Sequence, residues 1–184
     1  LAGNIEDLCS VAVFAVAGTT AIIIGREIGA GRKDTVYEVG CALNAVAMLC
    51  ALVIGAALLL CTWFLFPGTL YPVFHLSDTA GRIATMILTF VGATLALRAF
   101  NTVNIVGVLR GGGDVRAATL TDIIPMWCVS LPLSAVLALV FRLNIFWVYL
   151  GIEVEQLVKF IAGMRRLRSR VWIHDVTQLG AEEG

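Results

Sequence analysis

The chain has 184 residues, 59% of them hydrophobic and only 14% charged, with a formal net charge of +0 and a mean hydropathy of +0.92. A water-soluble domain keeps about a quarter of its residues charged. Here the few charges stand in clusters between long apolar runs, so a bilayer takes the place of the polar shell. The balanced total excludes the excess of clustered Lys and Arg that nucleic-acid binding needs.

A helix crosses about 30 Å of hydrocarbon with about 20 apolar residues, and five stretches qualify. They predict an all-α integral membrane fold with helices over approximately 5–25, 36–66, 80–109, 116–141 and 144–164. The first has no Met, Lys or Arg ahead of it and does not read as a signal peptide; the chain reads as a fragment. Gly25-Arg26-Glu27-Ile28-Gly29-Ala30-Gly31 follows it. No strand precedes that stretch and it is not a P-loop, so it reads as a helix end, with Gly29 and Gly31 making the turn and Asp34 and Thr35 capping the next helix. Gly25 and Gly29 also form a small-xxx-small pair suited to close helix contact.

The loop from Pro67 to Ala80 lacks Lys and Arg except beyond it, whereas Leu109-Arg110-Gly111-Gly112-Gly113-Asp114 is again a helix end, glycines and a capping acid flanked by arginines. The fourth stretch contains Asp122 and Pro132, the fifth Glu153, Glu155 and Lys159, and residues 165–184 form a tail with Arg165, Arg166, Arg168 and Arg170. By the positive-inside rule the Gly-rich turns and this basic tail are cytoplasmic, which places Leu1 outside and puts Arg82 and Arg142 on the far side. The cysteines, Cys9, Cys41, Cys50, Cys61 and Cys128, show no C-x-x-C and no His at ligand spacing, and read as small lipid- or core-facing residues. No nucleophile stands with a paired base, so an enzyme is not expected.

Taken in order, these features resemble the multidrug and toxic compound extrusion (MATE) family over nearly the whole chain. Ile24 to Gly31 resembles its "iGr.iGaG" stretch and Leu109 to Asp114 its "lRGgGD" turn. Asp122, Trp127 and Pro132 are similar to the set that follows, Glu155 and Lys159 to the acid four residues before a Lys on the last helix, and Arg165 to Trp172 to the basic tail with Trp. The family has twelve membrane helices in two six-helix lobes. The resemblance therefore implies that residues 1–164 are the last five helices of the C-terminal lobe, that the N-terminal lobe and the seventh helix are missing partners, and that the chain supplies one wall of a central cavity.

Charges inside a bilayer persist only with a partner or water, so the intramembrane polar residues mark the candidate pathway. Arg98, Asn101 and Asn104 make a polar stripe at three- to four-residue spacing. One reading turns the stripe to the cavity, toward substrate or a coupling ion; the other uses it for hydrogen bonds between helices. Some MATE members carry an Asp near the position of Arg98, a departure that puts the family's cation site in question here. Glu6, Asp7 and Asp122 are the acids that can pair with Arg98 or exchange protons, with Asp122 read as a buried structural partner. Glu155 and Lys159, at i and i+4, are expected to be a structural ion pair.

The resemblance implies a multidrug efflux antiporter in the plasma or inner membrane. It exports organic, often cationic, drugs or metabolites in exchange for H⁺ or Na⁺, with no cofactor beyond the coupling ion and no metal site. The expected partners are membrane lipid and a small organic substrate, not nucleic acid. Two alternatives stand beside this: a lipid-linked saccharide flippase of the same superfamily, whose cavity should be markedly basic, and a non-transporting membrane scaffold subunit.

Overall fold

The computed structural model describes residues 2–75 and 77–174, and these form five long helices joined by turns, with a short helix at Leu70–Val73 in the connection between the second and the third. They are α1 (Ala2–Gly29), α2 (Lys33–Leu65), α3 (Asp78–Leu109), α4 (Val115–Val140) and α5 (Ile145–Ser169). Among the described residues there is no strand, only an isolated bridge between Gly113 and Ile173. The protein is an all-α membrane protein: α1 to α4 are each long and apolar enough to cross a bilayer. α5 is equally long, at 25 residues, but carries Glu153, Glu155 and Lys159 in its middle, so length and composition alone do not make it a fifth span.

The helix ends depart from the sequence expectation for local reasons. α1 runs through Gly29, because Arg26, Glu27 and Ile28 all tolerate helical backbone; the turn belongs to Gly31, whose φ of 75° suits a residue without Cβ. Asp34 and Thr35 do not cap α2. That helix starts at Lys33 after Arg32, which makes no side-chain cap, and the Thr35 hydroxyl donates back to the Arg32 carbonyl at 3.1 Å. Asp114 does cap α4, its carboxylate accepting from the Ala117 N–H at 3.3 Å. Pro125 and Pro132 remove two backbone donors from α4, and its hydrogen-bond ladder widens over Met126–Ser130 and Val136–Val140.

α3 is the hub, touching all four other helices. Apolar burial gives no net drive between helices in lipid, so small residues decide where backbones approach. A Cβ on Gly55 of α2 would lie 2.5 Å from the Gly92 carbonyl oxygen of α3. On the other side of α3, Gly107 and Gly111 meet Ala17, Thr20 and Ala21 of α1, while Gly25 faces the Gly111 carbonyl and Gly29 faces nothing within 4 Å. The contact seam therefore runs from Ala17 to Gly25 and does not include Gly29. Large apolar side chains such as Leu8, Ile22, Val53, Phe64 and Leu139 point outward, as a bilayer requires. All five cysteines are free and none is fully buried.

The ends of α1, α3 and α5 gather with the two Gly-rich turns. α5 continues through Ser169, so Arg165, Arg166 and Arg168 stand on its last turns, and Arg170 ends it with left-handed backbone. The chain then folds back. Trp172 is fully buried, donates its indole N–H to the Leu167 carbonyl at 3.0 Å, and covers Gly112 so closely that a Cβ there would lie 2.3 Å from the ring. The His174 N–H donates to the Gly112 carbonyl at 2.9 Å, Arg166 Nε meets Asp114 Oδ2 at 2.6 Å, and Arg170 lies 4.3 Å above the Tyr37 ring. Residues 175–184 of the expected tail, and Leu1, lie outside the described residues.

Candidate functional site

A cleft of about 230 Å³ opens between α1, α3, α4 and α5, lined by Ser10, Phe14, Arg98, Asn101, Thr102, Ile105, Val106, Asp122, Gln156 and Lys159. Three of the four pathway candidates, Arg98, Asn101 and Asp122, border it together. Asn104 does not. It is fully buried behind the cleft against Gly163 of α5, whose added Cβ would come within 2.8 Å of its amide nitrogen, and neither end of its amide has a hydrogen-bond partner among the described residues.

Arg98 carries the first charge cluster. Its side chain is only 13% exposed, and its guanidinium reaches Glu6 of α1, Glu153 of α5 at 2.6 Å and the Tyr149 hydroxyl at 2.7 Å. The Tyr149 hydroxyl donates in turn to Glu6 at 3.2 Å. A guanidinium suits this position because its fixed fork presents donors in several directions at once, which a Lys ammonium on a single stem does not. Of the acids offered by the sequence, Glu6 meets Arg98, Asp7 is exposed, and Asp122 pairs elsewhere.

The second cluster is built on Lys159. The expected i, i+4 bond to Glu155 is present at 3.1 Å, but Lys159 also binds Asp122 of α4 at 2.8 Å, and Asp122 lies 4.0 Å from Arg110. Asp122 is thus a partner of Lys159, and at 44% exposed its side chain is not buried. Between the clusters, the Asn101 amide donates to both the backbone and the side-chain oxygen of Gln156, at 2.8 and 2.9 Å. Asn101 thus makes an interhelical hydrogen bond to α5 and also borders the cleft.

Tyr149 and Gln156 were not singled out from the sequence, and Glu153 was noted there only as a charge within the last apolar stretch. The signal was present: Tyr149, Glu153, Gln156, Lys159 and Gly163 recur at helical spacing and turn one face of α5 toward α3. Together the two clusters pair the cations Arg98, Lys159 and Arg110 with the carboxylates Glu6, Glu153, Asp122 and Glu155; of these charges Arg98, Lys159 and Asp122 line the cleft itself. The turn residues Gly25, Arg26, Gly31, Gly111, Gly113 and Asp114 do not line it and stand at the Gly-rich end, from which Arg110 reaches Asp122; Gly113 turns there with φ of 90°. Trp127 faces outward.

No protein-family model matches the chain, and no solved structure matches it. Among curated proteins, it is 29% identical over 160 residues to the uncharacterized transporter YisQ of Bacillus subtilis, covering 86% of this chain and 34% of that protein. It is 24% identical over 185 aligned positions to a probable multidrug resistance protein NorM of Thermotoga maritima, covering 96% of this chain and 38% of that protein. The chain spans about a third of the length of the curated relatives it matches. Both are distant relatives, one named as a transporter and the other as a probable multidrug resistance protein.

Proposed function

We propose that the chain forms part of the C-terminal lobe of a secondary antiporter that exports organic cations, drugs or metabolites, in exchange for H⁺ or Na⁺. The observation that carries this reading is the pair of charge clusters at the cleft: Arg98 with Glu6 and Glu153, and Lys159 with Asp122 and Glu155, drawn from four helices inside an apolar bundle where each charge is expensive to place. The names of the two relatives, a transporter and a multidrug resistance protein, point the same way. In this reading α5 is the fifth crossing, its charges sheltered against α3 and α4. The Gly-rich end is cytoplasmic, because it holds Arg26, Arg32, Lys33, Arg110, Arg116, Arg165, Arg166, Arg168 and Arg170, nine of the chain's 13 Lys and Arg.

The lipid-linked saccharide flippase calls for a markedly basic cavity, whereas the cations at this cleft, Arg98 and Lys159, are each paired with carboxylates. The scaffold reading draws on the Asn101 to Gln156 bond, a plain link between helices. Drug-sensitive cells expressing the full-length protein separate these. Efflux of a fluorescent organic cation is expected to stop when both ion gradients are collapsed, and to fall at least about tenfold per molecule in the membrane in Arg98→Ala. Efflux that persists without either gradient refutes the antiporter; full efflux with altered assembly in Arg98→Ala favours the scaffold.

A further inference from the structure

α4 is held differently from the other four helices. It is the least buried of the membrane-length helices, Pro125 and Pro132 interrupt its backbone ladder, and its ion pairs among the described residues are all made by Asp122. The rest of the bundle is tied together by the Arg98 cluster between α1, α3 and α5, by the glycine contacts of α1 and α2 with α3, and by Trp172 at the Gly-rich end.

Each member of the Lys159 to Asp122 pair has a second partner within reach. Asp122 Oδ1 is 2.8 Å from Lys159 while Oδ2 is 4.0 Å from Arg110, and Lys159 is also 3.1 Å from Glu155. Lys159 is fixed in the interior at 11% side-chain exposure, whereas Asp122 lies at the rim of the cleft. We propose that α4 is a hinged cover on the cleft, held closed by Lys159 with Asp122 and held open when Asp122 passes to Arg110 and leaves Lys159 to the Glu155 it already meets. The exchange leaves neither charge alone in a low-dielectric interior, so the two arrangements lie close in free energy, as a bistable element requires. Movement has a place to occur at Pro125, one turn beyond Asp122, where α4 lacks a backbone donor.

Thr102 borders the cleft from α3 and reports its opening. With the native cysteines replaced, Thr102→Cys in the full-length protein is labelled in native membranes with a water-soluble maleimide. The rate is then compared across Asp122→Asn, Arg110→Gln and Glu155→Gln. Asp122→Asn removes the 2.8 Å closing pair together with the longer 4.0 Å contact to Arg110; losing the closer pair is expected to speed labelling about fivefold, the population change that about 1 kcal/mol carries. Arg110→Gln and Glu155→Gln each remove an opening pair and are expected to slow it below the unaltered protein. A purely structural role loosens packing in all three and speeds all of them; that outcome, or an unchanged rate in Asp122→Asn, overturns the switch. Should Asp122→Asn fail to accumulate, the slowing in the other two decides the matter. Labelling needs no transported substrate, so failure of the antiporter reading leaves this result standing.

Discussion

Arg98 joins three helices through one side chain. Its guanidinium answers two carboxylates, Glu6 and Glu153, and a phenol, all at low exposure. Removing one partner of a buried pair leaves the other charge uncompensated, which costs about 3–5 kcal/mol, more than the pair itself contributes. Arg98→Ala is therefore expected to lower stability in detergent by about 3 kcal/mol, read as loss of the monodisperse peak on heating. Arg98→Ala combined with Glu153→Gln should be less damaging than the sum of the two, because the second change removes a charge stranded by the first. Additive losses would show that the two residues do not act on each other. From the sequence Arg98 was recognisable, since a lone Arg in an apolar run demands a partner; which partner was not, because Glu6 and Glu153 lie 92 and 55 positions away.

At the scale of the helix, close contact depends on what is absent from the side chain. Gly55 and Gly92 let α2 and α3 cross with a carbonyl where a Cβ would sit, 2.5 Å away. Gly55→Ala is expected to force the helices apart and destabilise by about 1–3 kcal/mol. Gly18→Ala, where nothing lies within 4 Å, is expected to leave stability unchanged or to raise it slightly through helix propensity. Equal effects in a thermal unfolding assay would remove the crossing as the cause. These roles could not be separated from sequence, because 18 glycines look alike until their neighbours are known. The small-xxx-small pair Gly25 and Gly29 shows the difficulty: Gly25 lies in the seam and Gly29 does not.

At the scale of the whole molecule, the fold-back after α5 locks one end of the bundle. Trp172 fills the space over Gly112 between the ends of α2, α3 and α5, with Arg166 and Asp114 bonded beside it. Trp172→Ala is expected to cost about 3–5 kcal/mol through the cavity left behind, and to admit protease at Arg168 and Arg170 that the intact protein resists; unchanged digestion and unfolding would leave the lock without a role. By itself the sequence determined the all-α membrane class and the position of the apolar stretches, because hydropathy is a property of contiguous residues and a bilayer is as thick for one helix as for the next. It also marked the glycine turns, whose signal is local, and the spacing of Glu155 with Lys159 on a single helix. Only the tertiary structure decided that Lys159 reaches Asp122, that Glu6 and Glu153 share Arg98, and that Asn104 stays behind the cleft while Asn101 borders it. Those outcomes depend on how helices rotate against one another, and in lipid, where both faces of a helix are apolar, the sequence carries little amphipathic signal to fix that rotation.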